Sequence, residues 1–378
     1  MTHTLLNHRA EGPASAPPLL LGPSLGTSHA LWDKVAPELS ITHRVVCWDL
    51  PGHGDSSEST ARLISAGATV ADLAALVLEL ADALGMQRFA YAGVSLGGAV
   101  GLHLALHHPE RVSSLAVICS SAHFNGAKAW TERAALVRRE GLAGLAESAD
   151  ARWFTQGFTV PRLVDDHRRA NPDAYAACCD ALATFDLSDR LTEITVPTLA
   201  VAGREDPATP PAHLREIADS VPGAALVEIP GASHLAPAEC PEAVLTALST
   251  LLSGGVRRGM EVRREVLGDA HVDRAQSRQT AFTAPFQDFI SRYAWGEIWT
   301  DPTLTRRERS MITMTALIAH GHYDELATHV RAARRNGLTP QEIGAVLLQT
   351  AVYCGVPAAN SAFATAQQVL AEDDEGRA

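Results

Sequence analysis

Three side chains far apart in the chain have the types needed for acyl transfer. Ser95 sits in Gly93-Val94-Ser95-Leu96-Gly97, Asp206 in Gly203-Arg204-Glu205-Asp206-Pro207, and His234 in Gly231-Ala232-Ser233-His234. A serine hydroxyl is a weak nucleophile until a histidine takes its proton, and an acid must orient that histidine and stabilise its charge. Small residues on either side of Ser95 let a strand turn sharply into a helix, with the hydroxyl projecting from the turn. The Leu96 amide then points toward an oxyanion from the start of that helix. A second polar set lies near the other end of the chain. His322, Glu325 and His329 follow i, i+3, i+7 spacing and share one helical stripe beside Leu326 and Val330. Polar groups on a stripe expected to be buried need a reason to be there. The His-x-x-x-His and His-Glu-x-x-His spacings common for zinc do not occur among them, so no metal is expected there.

The elements that must hold the first set alternate. Pro17–Leu21, Arg44–Asp49, Phe89–Ala92, Val112–Cys119, Val196–Gly203 and Ala225–Ile229 read as strands. Between them, Val70–Leu84 repeats apolar residues at helical spacing and stops at Gly85, and Gly98–His108 reads as a helix ending before Pro109. Such alternation predicts a mostly parallel sheet covered on both faces, with Ser95, Asp206 and His234 each following a strand. From about 121 to 190 the alternation gives way to helical stretches (130–139, 142–153, 162–169, 172–183), an insertion placed to cap the site. Within it, Trp130 and Arg133 are three apart and share a face, where they could hold a carboxylate by a charge-assisted fork. An arginine in solvent beside a half-buried tryptophan fits the same spacing. Trp153-Phe154 reads as cap packing, and His53, in a polar turn, as structural.

Length and composition set outer bounds. A chain of 378 residues predicts two domains, and 46% apolar with 20% charged residues suits a soluble protein with a sizeable core. A net charge of −12 without a basic stripe argues against nucleic acid as partner. Met1–Pro18 has neither a secretory pattern nor a span of membrane length. The six cysteines are scattered, with Cys178-Cys179 adjacent and no Cys-x-x-Cys, as expected of reduced thiols in a cytoplasmic protein. Residues 1–253 thus read as one domain and the Gly/Arg-rich stretch 254–259 as a linker. Residues 260–371 read as an all-α domain and 372–378 as a frayed acidic tail. Its helices are expected at 287–300, 305–320, 323–336, 339–354 and 358–371, with a Thr339-Pro340-Gln341-Glu342 capping box and a stop at Asn336-Gly337. So small a helical domain leaves much apolar surface per residue, which predicts a homo-oligomer formed through it.

Residues 1 to about 253 resemble the α/β-hydrolase family. The likeness rests on the turn at Ser95, on the order Ser95, Asp206, His234 and on the strand that precedes each. Within that family, Pro23-Ser24-Leu25-Gly26-Thr27, Gly203-Arg204-Glu205-Asp206-Pro207-Ala208-Thr209-Pro210 and Gly231-Ala232-Ser233-His234 resemble the 3-oxoadipate enol-lactonases, many relatives carrying His-Gly where this chain has Ser24-Leu25-Gly26. The resemblance implies an α/β-hydrolase fold with a helical cap, a Ser95–His234–Asp206 triad, and an oxyanion hole of the Leu25 and Leu96 amides. Residues 260–371 resemble the 4-carboxymuconolactone decarboxylases of the wider AhpD-like family. That likeness rests on Arg307-Glu308-Arg309-Ser310, on His322–His329, on Asn336-Gly337-Leu338-Thr339 and on Tyr353-Cys354-Gly355-Val356-Pro357-Ala358-Ala359. Peroxidase-type members carry cysteines where His322 and Glu325 stand, so acid–base work is implied in place of thiol redox chemistry. Glu325 would deliver a proton, kept in place by burial, while His322 and His329 polarise or orient. The lactone itself accepts the electrons left by CO2, so no cofactor is implied. The two resemblances name consecutive steps of protocatechuate breakdown in the β-ketoadipate pathway and imply small carboxylated lactones as substrates. A cap-domain esterase or carbon–carbon hydrolase carrying a noncatalytic helical assembly module is the alternative.

Overall fold

The computed structural model describes residues 5–124, 126–280 and 282–375. In Leu19-Leu20-Leu21, successive side chains of a strand point to opposite faces, and all three are buried. Leu20 enters one apolar cluster with Tyr91, Leu115, Val77 and Leu102. Leu19 and Leu21 enter the other, with Ala92, Ile118, Trp32 and Leu248. A strand apolar on both faces needs cover on both, which is the parallel α/β arrangement.

Seven strands form the sheet: β1 (His8–Glu11), β2 (Pro18–Gly22), β3 (Arg44–Trp48), β4 (Phe89–Val94), β5 (Val112–Ile118), β6 (Thr198–Gly203) and β7 (Ala225–Ile229). Their order is β1-β3-β2-β4-β5-β6-β7. All neighbouring pairs are parallel except β1 with β3. β1 is the strand that the sequence pattern does not announce: His8-Arg9-Ala10-Glu11 has no apolar alternation and is carried by its pairing with β3. Between β5 and β6 lies the helical insertion, Ala127–Glu140, Ala143–Ala146, Ala149–Trp153, Pro161–Arg169 and Pro172–Thr184. The stretch expected to be one helix over 142–153 is therefore two short ones.

The chain divides into two compact units, Met1–Leu252 and Ser253–Ala378. The second is helical: Asp269–Ser277, Ala284–Ile290, a π-helical turn Ser291–Ile298, then Arg306–Ala319, Tyr323–Arg335, Pro340–Cys354 and Val356–Glu375. Met314, Ile318, Leu326, Val330, Ile343, Leu347 and Ala366 form its buried centre. Thr339 accepts from the Glu342 amide and Glu342 reaches back, so the expected capping box is present, with Pro340 in the first turn. Gly337 takes φ 92° after the preceding helix.

Two boundaries differ from the sequence reading. Residues 254–259, expected as a linker, lie inside the helix Pro241–Leu267. Glycine is a poor helix former, but flanking Val244, Leu248, Val262 and Val266 are buried, and their burial outweighs the local penalty. Gly259 also has a packing reason: a Cβ there would overlap the Ser291 carbonyl. The acidic tail is helical as far as Glu375, and residues 376–378 lie outside the described ones. Gly254 has open space where a Cβ would sit and lacks a positive φ. Gly254→Ala should therefore stabilise the chain by about 0.5–1 kcal/mol in denaturant unfolding; a flexible linker would give no change.

Candidate active sites

β4 ends at Val94, and the helix Leu96–His107 begins two residues on, so Ser95 makes the whole turn, at φ 55°, ψ −116°. Gly97 is required beside it, because a Cβ there would lie 2.6 Å from the Pro23 carbonyl oxygen and 2.8 Å from the Gly22 carbonyl carbon. Leu96 is the first helical residue, and its amide has no carbonyl within its own helix to meet. The loop after β2 folds on itself through Thr27, whose amide and hydroxyl both donate to the Ser24 carbonyl, at 3.1 and 2.9 Å. It comes within hydrogen-bond distance of the elbow, where the Gly97 amide donates to the Pro23 carbonyl at 3.0 Å.

Asp206 follows β6 and His234 follows β7, both at the carboxyl edge of the sheet. His234 Nδ1 lies 2.9 Å from Asp206 Oδ2. The remaining lone pairs of the carboxylate are also used: Ala208 and Thr209 amides donate at 2.8 and 3.0 Å and the Thr209 hydroxyl at 2.7 Å. Burial pushes the Asp206 carboxyl up, but the His234 charge and the bonds from His234 and Thr209 outweigh it and hold the carboxyl below its ordinary value.

Ser95, His234, Leu25, Trp130 and Arg133 all line one cavity of about 260 Å³. Arg133 stands over the Trp130 ring, 4.8 Å from its centroid. Three further cap residues missed by the sequence reading line it too: Arg152, His167 and Tyr175. Arg152 is steadied by Ser148 Oγ and the Leu145 carbonyl, at 2.6 and 3.0 Å. No acidic residue stands three or four positions from it, a signal the sequence did hold. His167 is 1% exposed with neither ring nitrogen partnered among the described residues. Burial, then the charges of Arg152, His53 and Arg133, push it down to about 3, so it is neutral. Trp153, expected to serve cap packing, also faces this cavity. His53 is buried with Nδ1 at 2.8 Å from the Pro51 carbonyl, a structural role as expected.

The second set is less enclosed than its spacing predicted. His322 precedes the helix Tyr323–Arg335, and both His322 and Glu325 are exposed in the single chain. The helix buries Leu326, Val330 and Ala333, so the 322–325–329 stripe runs along the flank of the packed face. His329 is partly buried and its Nδ1 is unpartnered among the described residues. Burial, and then the charge of His271, push it down to about 4, against the pull of Glu325. Among the described residues, no group of three or more His, Cys, Asp or Glu is placed to hold a metal.

Residues 17–241 match the alpha/beta hydrolase fold family. The chain belongs to that family. Residues 284–368 match the carboxymuconolactone decarboxylase family, so the chain is a fusion of the two. 3-Oxoadipate enol-lactonase 2 of Acinetobacter baylyi is 34% identical over 253 residues, 65% of this chain and 92% of that protein. 4-Carboxymuconolactone decarboxylase of the same organism is 45% identical over 114 residues, 30% of this chain and 85% of that protein. The solved enol-lactonase of Burkholderia xenovorans is 31% identical, with a TM-score of 0.62, covering 66% of this chain and 96% of that one. The fusion is an enzyme, a hydrolase with a decarboxylase-family unit behind it.

A group whose folded pKa is depressed stabilises the fold above its unfolded pKa, and that stability is lost as pH falls through the folded pKa. For Asp206 the loss begins near the ordinary value of 3.8 and runs to lower pH. Asp206→Asn should thus be less stable than the parent at neutral pH, with the gap narrowing as thermal melts move from pH 5 toward 2.5. A constant gap would contradict the depressed carboxyl.

Proposed function

We propose that the C-terminal unit removes CO2 from 4-carboxymuconolactone and that the N-terminal unit hydrolyses the resulting 3-oxoadipate enol-lactone to 3-oxoadipate. The observation that carries the reading is the cavity at Ser95. A hydroxyl and a histidine–aspartate pair face it at one end, and two guanidinia without a carboxylate partner among the described residues, Arg133 and Arg152, face it from the cap. Such a cavity suits an ester that also carries a carboxylate.

In this mechanism Ser95 Oγ attacks the lactone carbonyl carbon while His234 takes its proton, and Asp206 holds the imidazole. The Leu25 and Leu96 amides receive the oxyanion. The ring C–O bond breaks to release an enolate, which takes a proton and becomes the ketone. Water, deprotonated by His234, then cleaves the acyl-enzyme. In the C-terminal unit the bond to the departing carboxylate breaks, its electron pair passes through the ring double bond onto the lactone carbonyl, and Glu325 returns a proton to carbon with His322 and His329 orienting the ring. Glu325 and His322 need cover for this work. Leu348, Val352, Tyr353 and Val356 are 65%, 76%, 79% and 65% exposed in the same unit, and an apolar face of this kind suits a second copy of the chain. All six cysteines are free, which favours a reducing, cytoplasmic setting. No helix among the described residues is long and apolar enough to cross a membrane.

Ser95→Ala should lower enol-lactone hydrolysis by roughly a thousandfold or more while CO2 release from 4-carboxymuconolactone continues. Glu325→Gln should do the reverse; loss of both activities in either variant contradicts two independent sites. A general esterase would hydrolyse neutral lactones as well as carboxylated ones, and Arg152→Gln would leave it unchanged. Sedimentation should show an oligomer that Val352→Glu dissociates; a monomeric parent would remove the proposed cover.

A further inference from the structure

The C-terminal unit contains a buried cation without a counter-charge among the described residues. Arg263 is 6% exposed, its Nη1 donates to Gln287 Oε1 at 3.0 Å, and its Nε is unpartnered among the described residues. Burial pulls the guanidinium below its ordinary pKa, with no carboxylate among the described residues to offset the loss of water. Such a group is costly to keep, and an anion arriving from solution would offset that cost.

Other unpartnered polar atoms lie on elements packed against it. Ser291 Oγ is one, on a residue 1% exposed, and His329 Nδ1 is another. The elements meet in a single apolar cluster. Val262 and Val266 come from the helix of Arg263, Val272 follows His271, Trp295 lies one turn from Ser291, and Ala332 lies nearly one turn from His329. Gly259, one turn before Arg263, is where that helix meets the Ser291 carbonyl. His271 is close enough for its charge to oppose that of His329, and Arg263 in turn opposes His271. His271 also borders a cavity of about 780 Å³, together with Thr328, Arg274, Arg335 and Asp269. Arg274 and Arg335 have no carboxylate partner among the described residues, whereas Arg264 and Arg331, also on its border, are answered by Asp273 and Glu372.

We propose that Arg263, with His271 and Ser291, forms a binding site for a carboxylate of a small organic di-acid, next to His329. The site rests on the decarboxylase reading above and deepens it by saying which carboxylate is held. The substrate of that reading has two, one lost as CO2 and one retained. A guanidinium on the departing carboxylate would stabilise it against bond breaking, because the charge it holds moves away in the transition state. A guanidinium on the retained one binds ground state and transition state alike, lowering KM and leaving kcat unchanged. Arg263 therefore holds the retained group, and the polar stripe of 325 and 329 is left to the ring.

The test uses the full chain, with CO2 release followed against 4-carboxymuconolactone concentration. Arg263→Gln should raise KM roughly tenfold to a hundredfold, the range for a lost charge-assisted hydrogen bond, with kcat within about twofold and enol-lactone hydrolysis untouched. Arg263→Lys should recover part of the loss. His271→Gln should move KM in the same direction by a smaller factor, and it decides the matter if Arg263→Gln does not fold. An unchanged KM, or a fall in kcat with KM unchanged, overturns the site. If the parent chain releases no CO2, the decarboxylase reading has failed and the site is judged by calorimetry. Succinate is then titrated into an Arg133→Gln/Arg152→Gln chain: saturable heat that Arg263→Gln abolishes supports the site, and absence of heat overturns it.

Discussion

The backbone of Ser95 sits at φ 55°, ψ −116°, where a side chain normally does not go, and most of the N-terminal unit can be understood as holding it there. Such a residue costs of order 1–3 kcal/mol and persists only when its surroundings leave no alternative. Its amide donates to the Ile118 carbonyl at 3.0 Å, and Ser120 Oγ donates to its carbonyl at 2.6 Å, so β5 grips it from one side. Tyr91 Oη donates to the Gly97 carbonyl at 3.0 Å, tying the helix start to β4. Ser95 shares its positive φ with one other non-glycine residue among those described, Cys119 at φ 42°. That residue stands at the end of β5, accepts from the Gly203 amide at 3.3 Å, and lies 3.5 Å from the Ser233 carbonyl. The two strained positions thus join the elbow to the edge that bears Asp206 and His234.

The cap continues this fixation from above. Ser28 Oγ donates to the buried Asp166 carboxylate at 2.5 Å, and Arg169 meets the other oxygen of that carboxylate at 2.9 Å. The next residue, His167, lies against Gly26, where a Cβ would meet its ring. One cap helix therefore sets the loop that presents Leu25, while its neighbours present Arg133 and Arg152 to the same cavity. The proposed recognition of a carboxylate and the proposed placement of an oxyanion donor would in this way be properties of one packed layer, which a buried neutral imidazole can join without adding charge.

What could be read in advance follows from the range of the forces involved. The elbow, the strands and the capping box at Thr339 are local: glycine sterics, alternation and a reciprocal hydrogen bond are all written within a few residues. The pairing of Asp206 with His234 is legible because each lies just past a strand whose apolar run is written in the sequence. His167 is not, since its burial comes from tertiary contacts, with Gly26, Trp153 and Tyr175. The same blindness makes 254–259 read as a linker, because its three glycines look like a break until the buried valines on either side are known. It also produced the expectation of a buried 322–329 stripe. Spacing gives the angle between side chains on a helix, but the direction of the core is set by which neighbours pack, and Leu326 and Val330 point that way while Glu325 does not.

A chain of net charge −12 would have to overcome its own field to take the carboxylated substrates proposed for it. The arrangement in each unit answers this locally. In the N-terminal unit Arg133 and Arg152 meet at the cavity, with no acid on its border among the described residues. In the C-terminal unit Arg263 is held out of water with, among the described residues, an amide oxygen as its hydrogen-bond partner. A guanidinium desolvated before the ligand arrives loses less on binding than one that must first leave water, and the repulsion of a distant surface is screened within about 10 Å at ordinary salt. The cost is carried in the unliganded protein, by cations that lack a carboxylate partner among the described residues. Replacing them with apolar side chains would therefore favour the fold and weaken the recognition, which is the sign that separates a binding arginine from a structural one.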